Sequence, residues 1–376
     1  MAMVRPLVEG DIPQVADLHR RVFQVALESS PEQRAAYRQY FSDVFLNELW
    51  KQDGIGSLVH EEDSGVLTGF LGVVPRRMSM NGSRVLAAVS SQFITDADSR
   101  SRMVGVKLLK AFLQGPQDLS VADESNDASR KLWEALGGKT ALLHSMHWIR
   151  PLRPCSLATS YLAQRRALGG LARAAAPIAR AADALATQLA WSPLRHDAPA
   201  LRAEGMSPEA LLEHLPAFVG RGTLRPEYDV HTLRWAIARV SCQRERDEPE
   251  SVLLRDERGR PVGSYVHCPS PGGVDQVLYI AAIPQAVEDV VRHLLHRAFQ
   301  RGALAVAGRL DVRIMQALSN RHALFHRRGP WMLVHTRRPE LLGAFERGEA
   351  FFSRLEGEFC LRFRPVAIRT RIGVQA

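Results

Sequence analysis

Apolar and polar positions along this chain alternate between an extended and a helical period, and the switch between them recurs in the same order twice. Met3–Leu7 reads as a strand. Asp11 and Pro13 then open an amphipathic helix carrying Ile12, Val15, Ala16, Leu18, Val22 and Phe23, with Asp11 as its expected cap. Extended runs at Ser57–His60 and Val66–Pro75 flank the polar connection Glu61–Gly65, which predicts a hairpin. Met80-Asn81-Gly82 predicts a tight turn into a strand over Val85–Ile94. There follow a helix over Arg102–Leu113, a short strand over Leu119–Ala122, a helix over Asp127–Leu136 closed by Gly137-Gly138, and a strand over Thr140–Ile149.

A second rhythm begins after residue 210. It predicts a helix over Val230–Val240 and a hairpin of Ser251–Arg255 with Pro261–Cys268. A strand over Val277–Ala282, a helix over Ala286–Arg301, a strand over Leu304–Leu310, a helix over Arg313–Ser319 and a strand over Trp331–Thr336 complete it. Leu324–Gly329 echoes Leu132–Gly137, and with the matching order of elements it points to a duplicated domain. Between the halves, Pro151–Arg202 is rich in Ala, Arg and Leu and strongly favours helix. It reads as a connector packed on the domains, or as a helix for a membrane surface or a partner. The expected organisation is 1–154, a connector over 155–210, and 211–376.

With 376 residues, two domains and a connector are expected. The 46% apolar content is that of a soluble chain with a real core, and the net charge of +9 favours anions without choosing among them. Arg is spread without a dense block, which excludes a basic nucleic-acid tail. Cys155, Cys242, Cys268 and Cys360 lie too far apart to suggest a metal site. The opening MAMVRPLVEGD has no apolar signal core, and no run approaches a membrane span, so a cytoplasmic protein is expected.

The stretch Ser90–Leu109 carries the chemistry. A strand ends, a polar loop turns, and a helix begins at Arg102 among small and basic residues. Backbone N–H groups in such a turn have no helical partner, and with the helix dipole they form an anion site beside Arg100, Arg102 and Lys107. Asp96 and Asp98 read as loop-shaping residues, and His144 and His147 as strand residues of the surface or core.

Arg100-Ser101-Arg102-Met103-Val104-Gly105-Val106-Lys107-Leu108-Leu109 resembles the coenzyme A loop of the GNAT (Gcn5-related N-acetyltransferase) superfamily. Asn126, Ser129, Leu132-Trp133 and Gly137-Gly138 resemble its second signature in spacing, and Val4-Arg5-Pro6 with Asp11-Ile12-Pro13 and Leu18 resembles its opening strand and helix. The resemblance implies two α/β GNAT-like domains, each a mixed, mostly antiparallel sheet flanked by helices and joined by the Ala-rich connector, the second a degenerate copy. It implies acetyl-CoA or another acyl-CoA as co-substrate, with no metal. The pyrophosphate would lie on Arg100–Lys107, and the pantetheine would run along Phe93, Ile94 and Thr95 with Asn126, Ser129 and Trp133 beside it. An amine of a small molecule or amino sugar would attack directly, with no nucleic acid as partner. Asp123, Glu124 and Gln92 are the candidates to take the proton, and Ser129 or water to give one to the thiol.

Two departures stand out. Met103 replaces a loop glycine, and Trp133 replaces a tyrosine whose phenol would protonate the leaving thiolate. They leave open a non-catalytic acyl-CoA binder, and the basic surface leaves open a Fem-like transferase using aminoacyl-tRNA. In the second half, Ile283-Pro284-Gln285 has no Arg or Gly for a pyrophosphate, and His231–Trp235 resembles a segment of GNAT-like proteins linked to cell-surface polysaccharides or reads as a plain amphipathic helix. Gly105→Glu is expected to abolish CoA binding.

Overall fold

Asn81 and Gly82 adopt left-handed backbone (φ 53° and 79°) and make the predicted turn, so the two longest strands fold back on each other around them. These belong to a computed structural model that describes residues 2–23, 31–50, 54–96, 102–165, 167–189, 194, 199–220, 222–241 and 248–363. In chain order its elements are β1 (Met3–Pro6), α1 (Ile12–Val22), α2 (Pro31–Phe45), β2 (Leu58–Glu61), β3 (Leu67–Met80), β4 (Ser83–Thr95), α3 (Arg102–Leu113), β5 (Leu119–Ser125), α4 (Asp127–Ala135), β6 (Lys139–Thr140) and β7 (His147–Pro151). The connector is α5 (Pro154–Ala163) and α6 (Gly169–Gln188). Then come β8 (Arg202–Gly205), α7 (Pro208–Val219), β9 (Arg225–Pro226), α8 (Val230–Ser241), β10 (Glu250–Arg255), β11 (Pro261–Cys268), β12 (Val274–Ala282), α9 (Val287–Gln300), β13 (Ala305–Arg309), α10 (Val312–Asn320), β14 (Leu324–His326), β15 (Trp331–Thr336) and α11 (Pro339–Glu346).

The strands form two mixed sheets. One runs β1-β2-β3-β4-β5-β15-β6 with β9 on β3, and the other runs β14-β7-β13-β12-β11-β10-β8. Each has a run of antiparallel strands, then a helix that crosses to one parallel neighbour, β4 to β5 in the first and β12 to β13 in the second. Strand alternation divides each sheet into two buried faces. In the first, Phe70, Val74, Val89 and Val121 pack under α1, α2 and α11, while Leu71, Val73, Ala88 and Ala122 pack under α3 and α4. In the second, α9 and α10 cover one face, and α7 and α8 the other.

The expected final strands change places. Thr140–Ile149 divides into β6, at the edge of the first sheet, and β7, which pairs with β13 in the second; β15 from the second half inserts between β5 and β6. Three smaller differences follow from local chemistry. The Asp11 carboxylate makes no cap bond to its helix because Arg5 and the Val8 N–H hold it. α2 buries Tyr37, Tyr40, Phe41, Val44 and Phe45 at helical spacing, a pattern present in the sequence beyond the elements expected there. Leu324–Gly329 forms β14 and a loop, whereas Leu132–Gly137 ends α4, so the sequence echo does not mark equivalent positions. As expected, Gly137 is left-handed (φ 95°), and Gly138 N–H closes α4 on Trp133 O at 2.8 Å.

Candidate active site

The β4–β5 ladder ends at Val89↔Val121. Beyond it the two parallel strands part, β4 on to Thr95 and β5 on to Ser125, and a cavity of about 620 Å³ opens between them. The parting has a local cause. Gly72 pairs with Ser91 and Phe70 with Ile94, so β4 carries an extra residue opposite Leu71, and Gln92 sits there with a left-handed φ of 53°. A bulge of this kind bends its strand and re-aims its backbone groups.

The Gln92 side chain is tied from behind. His19 of α1 is 3% exposed, and its Nε2 lies 2.6 Å from Gln92 Oε1, while its Nδ1 meets the Tyr37 hydroxyl. Burial lowers the His19 pKa, so the ring is neutral. An amide oxygen only accepts, so Nε2 carries the proton and Nδ1 accepts from Tyr37. Gln92 also hydrogen-bonds the Tyr40 hydroxyl, which donates to Leu361 O.

The opposite wall is β5, α4 and a segment from the far end of the chain. Asn126 caps α4, accepting the Ser129 N–H at 2.8 Å, and both line the cavity. Trp133 reaches it from α4 but is only 2% exposed, its ring edge-on to Phe112 at 6.0 Å. Glu358, Arg362 and Phe363 complete the wall. Glu358 Oε1 accepts the N–H groups of Asp123 and Glu124 at 3.2 and 3.1 Å, and Glu124 pairs with Arg362. Burial first, and then the Asp123 charge, raise the Glu358 pKa well above the carboxylate range.

Of the residues singled out from sequence, Gln92, Phe93, Asn126, Ser129 and Trp133 line this cavity, as does Glu124. Asp123 does not. It is 1% exposed beneath the wall, where Arg309 donates to Oδ2 at 2.6 Å and the Glu358 N–H to Oδ1 at 2.6 Å. The approach requires Gly357, where a Cβ would lie 2.0 Å from Asp123 Oδ2. The Ile94 side chain is in the core and Thr95 is half-buried. Asp98, Arg100 and Ser101 lie outside the described residues; Arg102 begins α3. Along α3, Met103 and Lys107 are exposed, Val106 is half-buried and Val104 is buried. Gly105 faces inward, its absent Cβ meeting Phe93 and Leu132 at 3.4 and 3.8 Å.

Sequence reasoning missed His19, Glu358, Arg362 and Phe363 as cavity residues. Glu358 lies 235 positions from Asp123, and the signal available in sequence was the phenylalanine-rich stretch Phe351–Phe363, with Glu356 and Glu358 set among apolar residues.

The second sheet parts in the same way after Gln276↔Ala307, but the gap is filled. Arg354 N–H donates to Leu278 O at 2.9 Å, Phe351 packs edge-on to Tyr279 at 5.5 Å, and only about 30 Å³ remains. His144 and His147 are buried, the latter stacked at 6.0 Å on His326, and neither lines the first cavity.

Residues 3–118 match the family model described as an acetyltransferase (GNAT) domain. No curated protein matches the sequence significantly. Among solved structures the fold is similar to one named as a probable N-acyltransferase of Enterococcus faecalis (TM-score 0.59, 10% identity, covering 89% of this chain and 73% of that one). It is similar also to a GCN5-related N-acetyltransferase of Anabaena variabilis (0.57, 13%, 90% and 74%) and to Eis1 of Mycobacterium abscessus (0.51, 13%, 92% and 76%). At these identities the likeness is one of fold.

Proposed function

We propose that this chain, whose residues 3–118 match the GNAT acetyltransferase family model, is an acyl-CoA-dependent N-acyltransferase that moves an acetyl group to an amine of a small molecule or amino sugar in the cytoplasm. The observation that carries the reading is the parting of β4 and β5 beside a bulged strand, with a cavity of about 620 Å³ in the gap and the amino end of α3 following β4. In chain order we divide the protein into 1–154 with the acyl-CoA site, the connector 155–210, and 211–376, whose filled cleft supports a degenerate role for the second copy.

The gap is open along the β4 edge, so a pantetheine arm fits beside Phe93–Thr95 and next to Asn126 and Ser129. Backbone N–H groups at the start of α3, from Arg102 to Val106, suit a pyrophosphate, with Lys107 and the loop residue Arg100 adding charge and Ser101 a hydroxyl. A backbone N–H at Phe93 or Ile94 would polarise the thioester carbonyl.

Glu358 takes the role of base in this reading, in place of Asp123, whose carboxylate is engaged by Arg309. A carboxylate with a raised pKa accepts a proton from an attacking ammonium more readily than an ordinary one. The amine nitrogen bonds to the acyl carbon, the C–S bond breaks with its electron pair going to sulfur, and Glu358 takes the amine's proton. Ser129 or a water returns a proton to the thiolate, since the Trp133 indole has none of a phenol's acidity.

Trp133 favours one rival, an acyl-CoA binder without turnover. Calorimetric titration with acetyl-CoA and CoA, followed by an amine screen, separates the two. One site per chain and transfer to an amine that Glu358→Gln abolishes is the expected result. Binding with no transfer to any amine would favour the rival, and no binding would sink both.

A further inference from the structure

Asp123 and Arg309 hold corresponding places in the two sheets. Each lies two residues past the last pair of a parallel ladder, Val89↔Val121 in the first sheet and Gln276↔Ala307 in the second. Each also lies on the strand, β5 or β13, that a strand from the other half covers. The two side chains meet there and are buried, at 6% exposure for Arg309 and 0% for Asp123. One nitrogen, Arg309 Nη2, donates to Asp123 Oδ2 at 2.6 Å and to the Asp123 carbonyl oxygen at 3.0 Å.

Two bonds from one nitrogen fix the carboxylate against its own backbone and leave Oδ1 to accept the Glu358 N–H at 2.6 Å. Glu358 returns the contact through Oε1, which accepts the Asp123 and Glu124 N–H groups at 3.2 and 3.1 Å. Main chain and side chain thus clasp each other in both directions, at the point where the segment after α11 passes the first cavity. On either side that segment is held by packing, Leu355, Phe359 and Cys360 with α7 and α8, and Leu361 with the core under α2. The clasp depends on a carboxylate that burial would otherwise neutralise. Without Arg309, Asp123 loses the cation bonded to it, and takes a proton or turns toward water. Either change loosens the clasp and frees the Glu358 carboxyl to move.

We infer, on the reading of Glu358 as the base, that Arg309 is a positioning residue for acyl transfer: from the second half it seats Glu358 in the first cavity through the Asp123 carboxylate. Hydrogen exchange of the full chain, read by mass spectrometry, tests the seat without an acceptor. Arg309→Met should speed exchange about tenfold or more at 355–361, the value of a hydrogen bond to a charged acceptor. Exchange in α9 and β11 and the affinity for acetyl-CoA should stay at wild-type values. Arg309→Lys should restore protection, since a single nitrogen makes both contacts. Should Arg309→Met not fold, Arg309→Met/Asp123→Asn, which leaves no lone buried charge, carries the same expectation. Thiol release from acetyl-CoA, in buffer and with glucosamine added, then tests the route. Arg309→Met should lower kcat about 10²-fold in the wild-type background, and not at all beside Glu358→Gln. Unchanged exchange at 355–361, exchange that rises across the whole second half, or losses that multiply beside Glu358→Gln would each overturn the inference. Glu358→Gln that releases thiol at the wild-type rate would instead sink the base reading, and the role of Arg309 with it.

Discussion

At the scale of single residues, two carboxyls from one short stretch, Glu358 half-buried and Glu356 fully buried, behave differently. Glu358 faces the cavity, and its raised pKa means that the basic form gains population as pH rises through that value. Acyl transfer should rise with pH over the same range. Glu358→Gln should lower kcat by about 10²–10⁴, the usual contribution of a positioned base, flatten the pH profile and leave acetyl-CoA affinity unchanged by calorimetry. Glu356 faces no cavity. It is fully buried, accepts the Ser353 N–H, and burial raises its pKa from 4.5 to about 8. The folded chain therefore keeps its proton to about pH 8, while the unfolded chain releases it near 4.5. Its favourable contribution is complete below 4.5 and is lost as pH rises toward 8, at up to about 1.4 kcal/mol per pH unit. Urea unfolding of Glu356→Gln between pH 5 and 8 should show a weaker decline than wild type, and parallel curves would refute the assignment. Neither role was legible in the sequence, because each depends on a segment folding back onto strands far away along the chain. Gln92, Asn126 and Ser129 were legible, because their positions follow from a strand end and a helix start that local chemistry sets. Gly105→Glu is a poor probe of the phosphate loop, since Phe93 and Leu132 already occupy the space a side chain would enter.

Among the elements, those with strong periodicity and clear punctuation sit where the pattern put them. α3 and β11 have their expected limits, and α1 starts as expected at Ile12. The bulge in β4 was not legible, because glutamine is an ordinary strand residue and the left-handed turn at Gln92 is imposed by ties to His19 and Tyr40. This separates backbone from side chain. Gln92→Gly and Gln92→Val both lose the tie to His19, but only glycine adopts the left-handed φ freely, while a β-branched residue resists it by about 1–3 kcal/mol. Gln92→Val should weaken acetyl-CoA binding about tenfold or more relative to Gln92→Gly. Equal affinities in titration calorimetry would show that the bulge does not shape the binding edge.

The whole molecule is organised by the exchange of closing strands. β15 lies against β5 through Trp331↔Ser125 to Thr336↔Leu119, and β7 lies against β13 through Ala305↔Pro151 to Arg309↔His147, so each sheet needs a strand from the other half. Sequence periodicity identified both strands but not their destinations, because alternation shows which face is buried and not which edge a strand will join. The exchange also delivers the chain's far end to the first cavity, since the segment after α11 fills the second cleft at Phe351 and Arg354 before reaching Glu358. A half-molecule would therefore have an open sheet edge, an incomplete core and an unfinished site. Splitting the gene in the turn between α5 and α6 puts this to the test. Neither fragment alone should be soluble or bind acetyl-CoA, because β5 would lack β15 in one and β13 would lack β7 in the other. Expressed together, the fragments should co-purify and bind acetyl-CoA, and tryptophan fluorescence and circular dichroism should report one coincident unfolding transition. A soluble amino-terminal fragment that binds acetyl-CoA by itself would show that the exchanged strands merely abut independent domains.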